Sequence, residues 1–163
     1  GKMVDIGTDR VRRDQTTGQL EYVVEWKENA GQGKDVVVTA GDIREVQLAK
    51  GAIYTGAMIL VEKMNMMFDD IDRLYLAGAF GNYIDIENAV VIGLLPDIPL
   101  DRIKSVGNAA GEGAKLSLLS KKKRAEENKV SRMVDYIELA SQKNFQDVFV
   151  RSLNFPRYKC AQL

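Results

Sequence analysis

The sequence predicts an α/β fold whose sheet is mixed but mostly parallel and flanked by helices. Three observations predict it. The apolar period changes from two to about 3.6 near Thr39. Beyond that point short strand-like runs alternate with helical segments, the pattern of strands joined by helical crossovers. Two of those runs, Arg73–Ala77 and Ile103–Val106, end in glycine-rich corners: Gly78-Ala79-Phe80-Gly81 and Gly107-Asn108-Ala109-Ala110-Gly111.

The first forty residues read as β structure. Leu20–Trp26 is rich in Val, Tyr and Trp and follows the turn Thr16-Thr17-Gly18-Gln19. Val36, Val37 and Val38 make a second short strand after the glycine-rich loop 29–34. Residues 1–38 are expected to complete the sheet of a single domain formed by 39–163. Thr39 then serves as an N-cap, and Asp42, three residues later, gives a box-like start. Ile43, Val46, Ala49, Ile53, Ala57, Leu60 and Met64 recur at helical spacing, and Asn65 suits a left-handed stop. The helix is unusually rich in small residues: Ala49, Gly51, Ala52, Gly56 and Ala57. A mid-helix glycine costs about 1 kcal/mol against alanine, so a close approach by another helix or a ligand should offset it.

After the strand Arg73–Ala77, Asp85 caps a helix expected to reach Leu94 and to be stopped by Pro96. Helices are predicted over Gly111–Leu119 and Lys122–Val134, with a last strand at Tyr136–Leu139. A final amphipathic helix, Gln142–Leu153, carries Phe145, Val148, Phe149 and Leu153 on one face.

A chain of 163 residues with 45% apolar and 28% charged residues is long enough to bury a core. Lys plus Arg and Asp plus Glu each number 23, which leaves no electrostatic footprint for nucleic acid or an anionic membrane. The basic run Lys121–Arg124 reads as a solvated helix end paired with Glu126 and Glu127. There is no histidine, so a zinc site and a Ser-His-Asp triad within this chain are excluded. The single cysteine, Cys160, permits no internal disulfide and fits a cytoplasmic setting. No apolar run reaches transmembrane length; Ala89–Leu95 is the nearest and is far too short. The start has no signal-peptide pattern and reads as a cut from a longer protein.

Ligands of parallel sheets sit outside the carboxyl ends of the strands, where both glycine corners fall. In Leu76–Asn82, glycine lets the backbone approach a flat or anionic ligand, and N–H groups ahead of the Asp85 helix face a phosphate or ribose. A tight strand-to-helix turn explains the same residues equally well. The second corner lacks the Walker A spacing, and its small residues suit either close packing or a ligand edge at Gly107 and Asn108. Lys50, flanked by Ala49 and Gly51, is either a solvated helical lysine or one reaching a ribose or phosphate. Gln47 and Glu45 are weaker candidates on the same helix. No residue is assigned a catalytic or metal-ligating role. The methionines, four of them at Met58, Met64, Met66 and Met67, read as packing rather than a copper site.

Several of these runs, in order, resemble one family. Thr39–Ile53 resembles its DIRExQLAKGAI helix, and Arg73–Tyr83 its LAGGFGNY turn. Ile92–Pro96 resembles its IGLLP element, and Val106–Ala110 its GNxxxxGA strand end. Tyr136–Leu139 with Phe145, Phe149, Phe155 and Pro156 resembles its C-terminal signature. The family is that of the reductive activators of corrinoid proteins, the activating enzymes of corrinoid-dependent methyltransferase and O-demethylase systems.

That resemblance implies an RNase H-like, actin-like (ASKHA) ATPase subdomain. It implies a full-length protein with an amino-terminal 2Fe–2S ferredoxin domain, which this chain lacks. Such a protein uses ATP with Mg to drive reduction of an inactive Co(II) corrinoid protein to Co(I) in anaerobic methyl transfer. By the same analogy Gly78, Ala79, Phe80, Gly81 and Asn82 occupy the adenosine-motif position, and Lys50, Gln47 and Glu45 border the nucleoside. Where the family often has glycine, Ala79 adds a methyl that narrows the approach to the base. The phosphate-binding hairpins and the cluster cysteines belong to the other half, so the isolated piece is expected to be inactive. The implied partners are a corrinoid protein, the rest of the same polypeptide and a second copy in a homodimer. An alternative is a partner-docking or dimerisation module with a vestigial cleft. A complete small sugar-kinase-like enzyme using Asp5 of the D-x-G-T match Asp5–Thr8 is disfavoured by length.

Overall fold

Asp14 builds the turn between the first two strands of the computed structural model, which describes residues 3–4, 7–78, 81 and 83–156. Its carboxylate accepts hydrogen bonds from the N–H groups of Thr16 and Thr17, at 3.1 and 2.6 Å, and from the Thr17 hydroxyl at 2.7 Å. β1 (Val11–Arg13) and β2 (Leu20–Glu25) run antiparallel from this turn, and β3 (Val36–Thr39) pairs with the other side of β2. Then follow α1 (Ala40–Lys63), β4 (Leu74–Ala77), α2 (Ile86–Val91), β5 (Ile103–Gly107), α3 (Ala109–Leu119), α4 (Lys121–Ser131) and α5 (Phe145–Ser152). No helix among the described residues is long and apolar enough to cross a membrane.

Along β2 the period of two is visible: Glu21 and Val23 are buried, while Tyr22 and Val24 face outward. A buried carboxylate needs a partner. Arg12 supplies it, its Nε lying 2.8 Å from Glu21 Oε1, and its Nη1 reaches Asp35 at 2.7 Å. The same guanidinium lies 5.8 Å from the Trp26 ring centroid. The polar stretch after Asp9 is thus a strand whose arginine braces the hairpin.

Three aspartates of this half are held below the ordinary carboxylate range. Asp14 is lowered by the Thr17 N–H, Asp35 by the Lys27 N–H and then by Arg12, and Asp42 by the Thr39 N–H. A carboxyl whose folded pKa lies below its unfolded one stabilises the fold above the unfolded value. That contribution is lost as pH falls through the folded value. Acid titration followed by circular dichroism should therefore show stability falling progressively below about pH 4, the unfolded aspartate value.

Thr39 and Asp42 cap α1 reciprocally: the Asp42 N–H donates to Thr39 Oγ1 at 3.1 Å, and the Thr39 N–H donates to Asp42 at 2.8 Å. Asn65, at φ +53°, turns the chain away as expected. The buried face is a surprise. It consists of Lys50, Gly51, Thr55, Gly56 and Ile59, whereas Val46, Ile53, Leu60 and Met64 of the apolar stripe are exposed. The small residues admit the carboxy-terminal segment. A Cβ on Gly51 would stand 3.0 Å from Leu153 Cδ2 and 3.4 Å from the Ser152 carbonyl oxygen. At Gly56 it would meet only Leu139 Cδ1, at 3.4 Å. The approach of the α5 end therefore accounts for Gly51, whereas Gly56 has room for a methyl group. Because a leucine methyl can yield and a backbone cannot, Gly56→Ala should stabilise the chain by about 0.5–1 kcal/mol in urea denaturation. Gly51→Ala should show little or no gain.

β4 and β5 pair in parallel, with Leu74 opposite Ile103, Tyr75 opposite Lys104 and Leu76 opposite Ser105. The register shifts at the end, placing Ala77 opposite Gly107. Ala89, Leu95, Ile98 and Ile103 form the buried cluster behind them, with Leu74, Leu76 and Ile86 packed against it. Asp85 caps α2 by accepting from the Asn88 N–H at 2.8 Å. That helix ends at Val91, short of Leu94, because Gly93 leaves it at φ +70°.

Two expectations need correcting. Tyr136–Leu139 is not a strand: its chain is irregular up to a 3-10 turn at Leu139–Ser141, and the Tyr136 hydroxyl bonds locally to Glu138 at 2.7 Å. The amino-terminal strands, moreover, do not complete the parallel sheet. Among the described residues β1–β3 form an antiparallel sheet of their own, separate from the parallel pair β4–β5. Hairpin connections 14–19 and 26–35 join β1, β2 and β3 antiparallel, whereas the crossover through α2 joins β4 and β5 parallel. The basic run is solvated as expected, with Lys123 on Glu126 at 2.7 Å and Arg124 Nε donating to the Ser117 carbonyl at 3.1 Å.

Candidate functional site

Both glycine corners reach the same sheet edge, because β4 and β5 are parallel neighbours. The Gly78 N–H donates to the Gly107 carbonyl at 2.7 Å, one step beyond the ladder. Gly78 and Gly107 take φ of +93° and +62°, a region that costs side-chain-bearing residues strain. A Cβ added to Gly78 would meet no atom of the described residues within 4 Å. Gly81 is the opposite case. It is buried, and its Cβ would stand 2.8 Å from the Leu76 carbonyl oxygen, inside the strand it has just left. Asn108 follows Gly107 and caps α3, its Oδ1 accepting from the Gly111 N–H at 2.9 Å. Its side chain is thereby committed to the helix. The expected Ala79, Phe80 and Asn82 lie outside the described residues, as do Asp5 and Cys160.

The α1 candidates are placed differently. Lys50 is only 2% exposed, which is rare for a lysine. Its ammonium donates to the Asn154 carbonyl and lies 5.5 Å from the Phe155 ring centroid. Gln47 Nε2 donates to the Leu153 carbonyl at 2.9 Å. These carbonyls follow α5 directly, where the helix end carries partial negative charge and welcomes a cation. Burial pulls the Lys50 pKa below its ordinary value. Glu45 is exposed. The structure thus brings Gln47 and Lys50 together on the segment Leu153–Pro156 and leaves Glu45 apart from them.

That segment roofs a cavity of about 700 Å³ between α1, the turn after α2, and α5, lined among others by Lys50, Tyr54, Gly93, Asp97, Arg151 and Phe155. Neither Gly78 nor Gly107 lines it. Burial, and secondarily Asp97, raises the Tyr54 hydroxyl above its ordinary value. Gly93 matters twice: its φ is positive, and a Cβ would stand 2.9 Å from Pro156. Sequence reasoning missed Tyr54, Gly93 and Asp97. The spacing Lys50–Tyr54, one helical turn, was the available signal for Tyr54; nothing local marked Asp97.

Comparison with known proteins fits this geometry. A family described as the C-terminal domain of RACo, the ASKHA domain, matches residues 1–163. Corrinoid activation enzyme RamQ of Eubacterium limosum is 45% identical over 124 residues, which is 76% of this chain and 21% of that protein. The Co(II) methylated amine-specific corrinoid protein reductase of Methanosarcina barkeri is 25% identical over 125 residues, again 76% of this chain and 23% of that one. The solved structure of a reductive activator for corrinoid, iron-sulfur protein superposes with a TM-score of 0.77 at 38% identity. It covers 90% of this chain and 23% of that one. The chain therefore spans between a fifth and a quarter of the length of these relatives.

Proposed function

Because this chain belongs to the family of the RACo C-terminal ASKHA domain, with the α/β actin-like fold that name denotes, we propose that it forms the adenosine wall of a nucleotide cleft. The observation that carries this reading is the joining of Gly78 to Gly107 at one open strand edge. Gly78, Ala79, Phe80, Gly81 and Asn82 form the first lip of the wall, and Gly107 with Asn108 the second. The family resemblance assigns Lys50, Gln47 and Glu45 to the border of that wall; in this structure Gln47 and Lys50 are bonded to the Leu153 and Asn154 carbonyls. The lip fits a flat ligand, since no described residue fills the place a Cβ on Gly78 would take, while Gly81 stands against the Leu76 backbone. ATP with Mg, held between this wall and a second half that supplies the phosphate contacts, would provide the driving energy.

In the longer protein this wall serves an ATP-dependent activator that reduces a Co(II) corrinoid protein to Co(I), the electron coming from an iron–sulfur cluster elsewhere in the polypeptide. Its partners are the corrinoid protein and the remainder of its own chain, with a homodimer as a further association. Residues 1–38 are an appended β segment, and 39–163 the subdomain itself. The exposed apolar residues Val46, Ile53 and Leu60 on α1, with Met64 at its end, support a subdomain that packs against further structure.

Calorimetric titration of the chain with ATP and Mg tests the reading. One wall without phosphate contacts should bind no better than high micromolar, about −5 kcal/mol or weaker. It should not hydrolyse ATP. Submicromolar binding would show that the site is complete here and would overturn the one-wall assignment.

A further inference from the structure

We propose that the cavity between α1, the turn after α2, and α5 is a binding site for a small organic carboxylate with an apolar body, separate from the nucleotide wall. The site stands on the cavity's own side chains and does not rest on the nucleotide reading. Neither glycine corner lines this space of about 700 Å³, a size that suits a small organic ligand. Its walls divide by chemistry. Val90, Leu95 and Phe155 offer apolar surface, while Lys50, Tyr54, Asp97 and Arg151 bring charge and hydrogen-bonding groups.

The charges of this lining do not cancel. Two cations, Lys50 and Arg151, share it with one carboxylate, Asp97, which leaves a single positive charge in excess. No ion pair among the described residues includes any of the three. A charge taken out of water needs a counter-charge, and Lys50 is 2% exposed. Its ammonium uses one of three donors on the Asn154 carbonyl. It stands beside Gly93, where a Cβ would come within 3.4 Å of Nζ. Arg151 and Asp97 are exposed, which puts them at the mouth. Their side chains and the Tyr54 hydroxyl have no hydrogen-bond partner among the described residues. A carboxylate accepts from ammonium, guanidinium and phenol alike. Being singly charged it balances the excess, which a doubly charged phosphate ester overshoots. The apolar wall then takes a hydrocarbon body out of water.

The test follows backbone amide signals of the 163-residue chain by NMR as benzoate, phenyl phosphate, benzyl alcohol or benzylamine is added. Benzoate should shift signals of Lys50, Tyr54, Gly93 and Asp97 and bind about tenfold tighter than benzyl alcohol or benzylamine. Phenyl phosphate should bind no tighter than benzoate. Arg151→Gln, at an exposed position, should weaken benzoate about two- to fivefold and leave benzyl alcohol unchanged. Lys50→Met should weaken benzoate further; where that variant does not fold, Arg151→Gln decides alone. Equal affinity for benzoate and benzyl alcohol, or parental benzoate affinity in Arg151→Gln, overturns the site. Tighter binding of phenyl phosphate overturns the carboxylate assignment. Displacement of benzoate by a non-hydrolysable ATP analogue with Mg would show that the cavity belongs to the nucleotide wall, and overturns the separation. Failure of the analogue to bind at all removes the nucleotide reading and leaves this site standing.

Discussion

Replacing Ile103 with alanine is expected to cost about 2–5 kcal/mol, measured by urea denaturation with circular dichroism as the signal. Ile103 opens β5 opposite Leu74 and is 4% exposed. It belongs to the buried cluster with Ala89, Leu95 and Ile98, the one that backs the parallel pair. Deleting its outer carbons removes apolar burial and leaves a void that α2 and the 3-10 turn at Leu100–Arg102 can only partly fill. A domain of this size has about 5–15 kcal/mol of stability in total, so the loss is a large fraction. Leu118→Ala is the control. Leu118 is 77% exposed on α3, and its loss should fall within about 0.5 kcal/mol. The functional consequence follows from register. Without Ile103 seated, β5 has little to hold it beside β4, and Gly107 no longer receives the Gly78 N–H. A loss below 1 kcal/mol would mean that something other than this cluster holds the pair.

Much of the fold was legible in the sequence where local chemistry decides structure. Thr39 with Asp42, Asp85 and Asn65 each act within one turn of their own position, and the helix ends they predict are where the caps are found. Legibility failed where a distant segment decides. The stripe Val46–Ile53–Leu60 has the right spacing for a buried face, but burial goes to Gly51, Thr55, Gly56 and Ile59. Close helix approach selects small residues, and a hydrophobic count cannot see that. Thr55 shows how far the choice departs from polarity: it is fully buried, and its hydroxyl has no hydrogen-bond partner among the described residues. The strand expected at Tyr136–Leu139 failed because apolar residues make a strand only where an edge is available to pair with.

The site divides in the same way. The glycine corners were legible because strand ends in a parallel pair must share an edge, and glycine at a strand end already implies an unusual backbone. The role of Lys50 was only half legible. The sequence left open a solvated helical lysine or one reaching a ligand, and its burial excludes the first. Its partner, the Asn154 carbonyl, stands 104 residues away in sequence and offers no side-chain signal. A backbone acceptor at the end of a helix can be supplied by any residue type, so composition and spacing carry no trace of it.

Gly81→Ala is expected to destabilise the chain by about 1–3 kcal/mol and to abolish whatever nucleotide affinity it has. The added methyl carbon would lie 2.8 Å from the Leu76 oxygen and 3.1 Å from the Leu76 carbonyl carbon. Both atoms belong to the backbone of β4, so no rotamer change relieves the contact. Either the corner moves away from the strand or the last rungs of the β4–β5 ladder give way. Gly78 separates this steric cause from a conformational one. A methyl group there meets none of the described residues, and the cost of Gly78→Ala comes from its φ, about 1 kcal/mol. Asparagine tolerates positive φ better than alanine, so Gly78→Asn should be milder than Gly78→Ala. Gly81→Asn should be no milder than Gly81→Ala. Denaturation of the four variants checks the ordering, and titration with ATP and Mg checks the functional half. If Gly81→Ala is as stable as the parent, the corner is not pressed against β4. The wall would then lack the fixed backbone that lets an open glycine face a base.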